Sequence, residues 1–75
     1  MKKFPARQRS IVAALRSART EAGLSQRALA DALGEAPTHI HLIEKLRRDV
    51  SVAEFIEIAR VLQIDPLELL RRALR

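Results

Sequence analysis

The chain has 75 residues, enough for one small domain with a single hydrophobic core. Hydrophobic residues make up 48% of it, and the absence of cysteine excludes disulfides, thiolate zinc sites and cysteine nucleophiles. No apolar run is long enough to span a membrane and no signal peptide follows Met1, so we expect a cytoplasmic protein.

Basic residues exceed acidic ones by 14 to 9, which leaves a net charge of +5. A small basic domain favours a polyanionic partner, with nucleic acid ahead of an anionic membrane. Because most of the basic residues are arginines, a GC-rich genome is an alternative source of part of this charge. Charge by itself therefore leaves the partner open.

Helix-period patterning predicts five helices and an all-α fold. Residues 1–4 are expected to form a flexible, basic N-terminal arm. The first helix is predicted over residues 5–22 and ends at Gly23, which readily adopts a left-handed conformation. The second is predicted to be capped by Ser25, to run to about Leu33 and to end at Gly34.

The third helix is predicted over about residues 37–46, although Ala36 is a poor cap for it. A capping box at Ser51 and Glu54 opens the fourth helix, which runs to about Leu62. The fifth helix begins with a similar box and runs to near the C-terminus. Asp65 is its predicted cap, Pro66 is its first residue, and Glu68 is predicted to reach back to the cap residue.

The second and third helices are separated by only three residues, so they must meet at a sharp angle. Ala30 is small at the point where they would cross. The residues predicted to face inward are Leu29, Ala32, Leu33, Ile40 and Ile43, with His39 at the edge of the core. The outward face of the third helix carries Pro37, Thr38, His41, Leu42 and Lys45. Two helices joined by a tight glycine turn, the second with a mixed polar outer face, are typical of a helix-turn-helix.

The chain resembles the Cro and phage-repressor (XRE-like) helix-turn-helix family from about residue 15 to residue 70. The resemblance is carried by Leu24-Ser25-Gln26, Leu29-Ala30, Gly34, Ile40, Ile43-Glu44, Arg47-Arg48, Ser51, Leu62 and Ile64-Asp65-Pro66. It implies one five-helix, lambda-repressor-like domain over residues 1–75 that binds operator DNA, usually as a two-fold dimer.

The resemblance also implies roles for individual residues. Base contacts fall on Pro37, Thr38, His41, Leu42 and Lys45. Phosphate contacts fall on Gln26, Arg27, Lys45, Arg47 and Arg48. Arg19 and Glu44 match a structural ion pair between the first helix and the end of the third. The alternative for His41 and for the basic residues is a solvated helix face, and this alternative stays open for a second basic patch at Lys2, Lys3, Arg7 and Arg9.

Four positions depart from the family pattern. Ala36 replaces a Ser or Thr cap, Pro37 stands where a polar residue is common, and Val50 where proline is frequent. Leu46 replaces the glycine that commonly ends the third helix, so we expect a more helical turn there. Pro37 and Leu42 make the reading face unusually apolar.

The last third of the chain carries more apolar surface than a monomer of this size is expected to bury. The predicted inward stripe of the fourth helix is Val52, Phe55, Ile58, Ala59 and Leu62. The residues left over are assigned to a two-fold dimer interface: Ile56, Val61, Leu67, Leu70 and Leu74. The alternative is a core that absorbs them.

Catalysis is not expected. His39 and His41 are two residues apart on a helix and point away from each other, so they do not chelate one metal ion. Glu54 and Glu57 share a helix face without a predicted histidine, lysine or cleft. We therefore predict no enzyme activity, no cofactor and no metal.

The leading hypothesis is a dimeric, sequence-specific DNA-binding regulator that acts as a repressor by inserting the third helix into the major groove. The alternative is a protein-interaction module, such as a helix-turn-helix antitoxin or adaptor, that binds a partner protein through the last two helices. Membrane binding is a weaker third idea, because it requires one long amphipathic helix with a basic face.

Overall fold

A computed structural model describes residues 5–75, which form five helices. The predicted arm at residues 1–4 lies outside the described residues. The helices are α1 (Pro5–Glu21), α2 (Gln26–Ala32), α3 (His39–Glu44), α4 (Val52–Val61) and α5 (Pro66–Ala73). The all-α, five-helix fold is therefore confirmed.

The core is aliphatic and draws on all five helices. α1 packs against α3 and α5, α2 against α3 and α4, and α4 against α5. The largest fully buried side chains are Ile43, Ile58 and Leu69. Burial of each contributes about 1.5–3 kcal/mol relative to leaving it exposed.

Serine and aspartate side chains cap three of the helices. Ser25 Oγ accepts a hydrogen bond from the Ala28 amide at 3.0 Å, and Ser51 Oγ accepts one from the Glu54 amide at 3.0 Å. Asp65 Oδ1 accepts from the Leu67 amide at 3.1 Å. These caps fix where α2, α4 and α5 begin.

In both predicted capping boxes, the glutamate makes other contacts in place of a hydrogen bond back to the cap residue. The carboxylate of Glu54 is turned toward His39, and that of Glu68 pairs with Arg71 at 3.1 Å. The prediction that Glu68 reaches back to the cap of α5 is therefore wrong, because a nearby arginine offers its carboxylate a charged donor.

Four helix ends among residues 5–75 share a left-handed residue and the pair of hydrogen bonds of a Schellman motif. Two of these residues are Gly23 (φ 76°) and Gly34 (φ 71°), as predicted. The other two are Leu46 (φ 62°) and Gln63 (φ 58°). After α3 the Arg47 amide donates to the Leu42 carbonyl at 2.9 Å, so this end has the usual glycine geometry without glycine. The more helical turn expected at Leu46 is wrong.

Three further predictions need correction. α3 begins at His39 rather than Pro37, because the Thr38 side chain makes no capping bond and residues 36–39 form a tight turn. Ala32 is exposed at the end of α2, and Ala30 is the residue buried against α3. Val52, at the start of α4, is 79% exposed because it lies beyond the core edge.

Candidate nucleic-acid interface

α2 and α3 are held at a fixed angle by a small apolar contact. Ala30 is completely buried, and Leu29, Ile40 and Ile43 belong to the same core cluster. The Glu35 amide donates to the Ala30 carbonyl at 2.9 Å, which ties the turn to the end of α2. A larger side chain at position 30 would force the two helices apart, so this alanine sets their spacing.

The side chains assigned to base contacts lie in two segments of this motif. Pro37 and Thr38 are exposed in the turn that precedes α3, and His41 is exposed on the helix itself. Leu42 is half-buried, and Lys45 is exposed at the end of the helix. One short helix and its leading turn therefore carry all five, on the opposite side from buried His39, Ile40 and Ile43.

The residues assigned to phosphate contacts bracket the motif. Gln26 and Arg27 are the first two residues of α2, where unpaired backbone amides favour an anion. Arg47 and Arg48 are exposed in the segment after α3, next to Lys45. Arg7 and Arg9 of the second basic patch are exposed on α1, while Lys2 and Lys3 belong to the residues that the structure does not describe.

Glu44 is the centre of a buried polar network that joins three helices. Its carboxylate accepts from Arg19 Nε at 2.7 Å and from Arg19 Nη2 at 3.0 Å, a bidentate pair. Arg19 Nη1 donates to the Leu24 carbonyl at 2.8 Å. Gln26 Nε2 also donates to Glu44, at 2.9 Å. The network locks α1, the start of α2 and the end of α3 together.

The environment of Glu44 favours its ionised form. Burial raises the pKa of this carboxyl, but hydrogen bonds from Arg19 and Gln26, with the positive charges of Arg19 and Arg16, outweigh burial and hold the pKa below its usual value. The carboxylate therefore stays charged and keeps the Gln26 amide oriented. Since an amide nitrogen carries two hydrogens, Gln26 keeps one N–H for a phosphate.

His39 is buried, as expected at the edge of the core, but it has acidic neighbours that the sequence did not indicate. Its Nε2 contacts the Glu54 carboxylate, and its Nδ1 lies 3.8 Å from Glu35 Oε1. The expectation that Glu54 has no histidine nearby is wrong, because the fold brings the first turn of α4 to the His39 side chain at the start of α3. The spacing of Glu35 and His39, four residues apart, was the only local signal for part of this cluster.

Most of the residues assigned to the dimer interface stand on the outside of α4 and α5. Their exposed fractions are 44% for Ile56, 62% for Leu67, 38% for Leu70 and 54% for Leu74. Val61 is half-buried and packs against the core, so the prediction that it is left over is wrong.

This arrangement of α2 and α3 on a five-helix core defines the class of protein as a helix-turn-helix DNA-binding domain. The family model described as helix-turn-helix, of the Cro and phage-repressor (XRE-like) type, matches residues 15–69. The chain belongs to this family, which is not one of enzymes.

One solved structure is similar over most of the chain. The clp gene regulator ClgR from Corynebacterium glutamicum matches with a TM-score of 0.81 and 28% sequence identity, over 89% of this chain and 71% of that one. No curated protein sequence matches significantly. Within residues 5–75, no helix combines the length and the apolar character that crossing a membrane requires.

Proposed function

We propose that the chain is a cytoplasmic, sequence-specific transcriptional regulator that binds DNA as a homodimer and acts as a repressor. The observation that carries the proposal is the exposed row of side chains on the turn before α3 and on α3, flanked by Gln26, Arg47 and Arg48. In this arrangement α3 enters the major groove while the flanking residues hold the phosphates on either side. The structural likeness to a gene regulator supports the same function.

The reading residues offer different contacts to base edges. Thr38 donates, accepts or touches a thymine methyl, and His41 donates to guanine N7. Lys45 reaches guanine or a phosphate. Pro37 and Leu42 contribute only apolar contact, so we expect modest discrimination between bases, with much of the affinity coming from phosphates.

The dimer is proposed from the exposed apolar residues Ile56, Leu67, Leu70 and Leu74. A self-complementary patch of this kind forms a two-fold contact, and such a dimer places two recognition helices about 34 Å apart, one turn of DNA. We expect Leu67→Lys to weaken self-association at least about tenfold, because a two-fold contact would bury the new charge twice. Sedimentation equilibrium measures this, with Ala32→Lys on exposed α2 as the control. Equal association of the two variants would exclude this face.

Salt dependence of DNA binding tests the phosphate assignment. If each subunit neutralises about four phosphates, the dimer's log affinity falls against log salt with a slope near −7. Arg47→Ala with Arg48→Ala removes four positive charges per dimer, so the slope is expected to fall to about −3.6. The control is Arg60→Ala with Arg75→Ala, which removes equal charge from exposed positions elsewhere. Equal slopes for the two double variants would contradict the assignment.

The experiment uses fluorescence anisotropy with the DNA upstream of the chain's own gene and a scrambled duplex, across about 50–300 mM salt. A preference of about 10³ or more for one duplex supports a specific regulator. Equal binding to both indicates that the target lies elsewhere, and no binding at physiological salt refutes the proposal.

A second function is favoured by the apolar residues of the reading face and of α5. Pro37 is exposed and Leu42 half-buried, while Leu67 and Leu74 are more than half exposed. An antitoxin or adaptor would bind a partner protein through α4 and α5. The Arg47 and Arg48 double variant separates the two, because an adaptor keeps its partner while a regulator loses DNA affinity.

A further inference from the structure

Three potential metal ligands from three parts of the chain meet beside the start of α3. Glu35 lies in the turn after α2, His39 is the first residue of α3, and Glu54 lies in the first turn of α4. Each offers one ligand atom, and these atoms all lie within 4.8 Å of one another. The imidazole is 4% exposed, so it is fixed by packing, whereas the Glu35 side chain is 45% exposed and free to adjust.

The two carboxylates of this cluster are unusual in a chain so rich in arginine. Within residues 5–75, the ion pairs of Glu35 and Glu54 are with His39, and neither includes a lysine or arginine. Other glutamates of the same segment pair with arginine: Glu21, Glu44, Glu57 and Glu68. Two carboxylates at one place carry two negative charges, which one divalent cation balances.

The dimensions and the surroundings fit a transition-metal ion. Zinc binds imidazole and carboxylate ligands at about 2.0–2.2 Å, so tetrahedral ligand atoms lie about 3.4 Å apart. The three ligand atoms, which lie within 4.8 Å of one another, would have to adjust to this spacing when an ion binds. An open depression of about 330 Å³ lies beside them, lined by Leu33, Glu35, Ser51, Ala53, Glu54 and Glu57. It leaves room for water to complete the coordination.

We propose that Glu35, His39 and Glu54 form a binding site for one divalent transition-metal ion, of which Zn²⁺ is the representative. An imidazole with two carboxylates suits Zn²⁺ and its first-row neighbours better than Mg²⁺ or Ca²⁺, which prefer oxygen ligands alone. The bound ion links the turn after α2 and the start of α3 to α4. It therefore stabilises the helix-turn-helix from the side of α3 that faces away from the reading residues.

The test is a titration of the untagged full chain with ZnCl₂ in a chelator-free buffer, followed by calorimetry and by NMR of the two histidine rings. We expect saturable binding of one ion per chain, with the His39 resonances shifting and those of His41 unchanged. CoCl₂ is a second probe, since its visible absorption reports coordination by protein ligands. Zinc is also expected to raise the melting temperature, because the folded state alone assembles the site.

The decisive variant is Glu35→Gln, which replaces an exposed carboxylate and leaves the core intact. It is expected to weaken zinc binding at least about tenfold, as loss of one of three ligands should. The matched control is Glu57→Gln, which removes the same charge from the same depression and should change affinity less than about twofold. Three results would overturn the proposal: no saturable binding up to 1 mM ZnCl₂ at neutral pH, equal losses in the two variants, or shifts at His41 alone.

Discussion

The buried carboxylate of Glu44 provides the sharpest test of how the helix-turn-helix is held in place. Its side chain is 4% exposed and that of Arg19 is 10% exposed, so the pair is almost completely removed from water. Breaking such a pair from one side costs about 3–5 kcal/mol, because the remaining charge is left buried. Glu44→Gln is milder, since the amide oxygen still accepts one hydrogen bond and Arg19 keeps its bond to the Leu24 carbonyl.

We expect Glu44→Gln to lower the free energy of unfolding at pH 7 by about 2 kcal/mol, close to the value of one charged hydrogen bond. This corresponds to an unfolding constant about 30-fold larger. Urea denaturation followed by circular dichroism measures the change. The control is Glu21→Gln, which breaks the exposed Glu21–Arg72 pair at 3.1 Å and should cost less than about 1 kcal/mol.

The stability difference between wild type and Glu44→Gln is also expected to depend on pH. The folded-state pKa of Glu44 lies below its ordinary value of 4.5, so the folded chain binds this proton less readily than the unfolded chain. The stabilisation is therefore present above about pH 4.5 and is lost as the pH falls through the lower folded-state pKa. The difference between wild type and Glu44→Gln should narrow between pH 5 and pH 3. A variant as stable as wild type at pH 7, or a difference that does not change with pH, would refute this account of the network.

Three other changes test the backbone and the core by thermal or urea unfolding. Gln63→Gly relieves a left-handed residue that has a side chain, and should raise the free energy of unfolding by about 1 kcal/mol, whereas Gly34→Ala should lower it by about the same amount. A change of the same sign in the two variants would contradict the argument that a left-handed residue with a side chain is strained. Ala30→Leu inserts a large side chain where α2 crosses α3 and should lower stability by about 1–3 kcal/mol, with exposed Ala32→Leu as the control. A neutral Ala30→Leu would mean that the crossing is not tightly packed.

The features that could be predicted from the sequence are those set by local spacing. Ser25, Ser51 and Asp65 cap helices because each side chain reaches an amide two or three residues ahead, so the residue type and its position are enough. Burial of Leu15, Ile43 and Ile58 follows in the same way from three-to-four spacing. Such signals depend on neighbours in the chain and not on the tertiary arrangement.

The features that were missed depend on contacts between helices. The contact of Glu54 with His39 joins the first turn of α4 to the start of α3, and a capping-box pattern carries no information about that neighbour. Val52 has the right spacing for the core stripe of α4 but is 79% exposed. Leu46 adopts a conformation that favours glycine while its side chain lines a depression with Pro5, Gln8 and Arg9 of α1.

These long-range contacts explain how a six-residue helix can serve as a rigid reading element. A helix of this length is unstable alone, because nucleation costs more than so few hydrogen bonds return. α3 is instead held at both ends by carboxylates, with Glu54 and Glu35 around His39 at its start and Arg19 and Gln26 around Glu44 at its end. Its inward face is anchored between them.

The outward residues His41, Leu42 and Lys45 take no part in either anchor. Changes at exposed His41 and Lys45 are therefore expected to alter DNA preference while leaving the free energy of unfolding almost unchanged. Changes at His39 or Glu44 should lower the free energy of unfolding and should do so independently of the DNA sequence. The physical separation of these two sets is what allows one small fold to carry different sequence preferences.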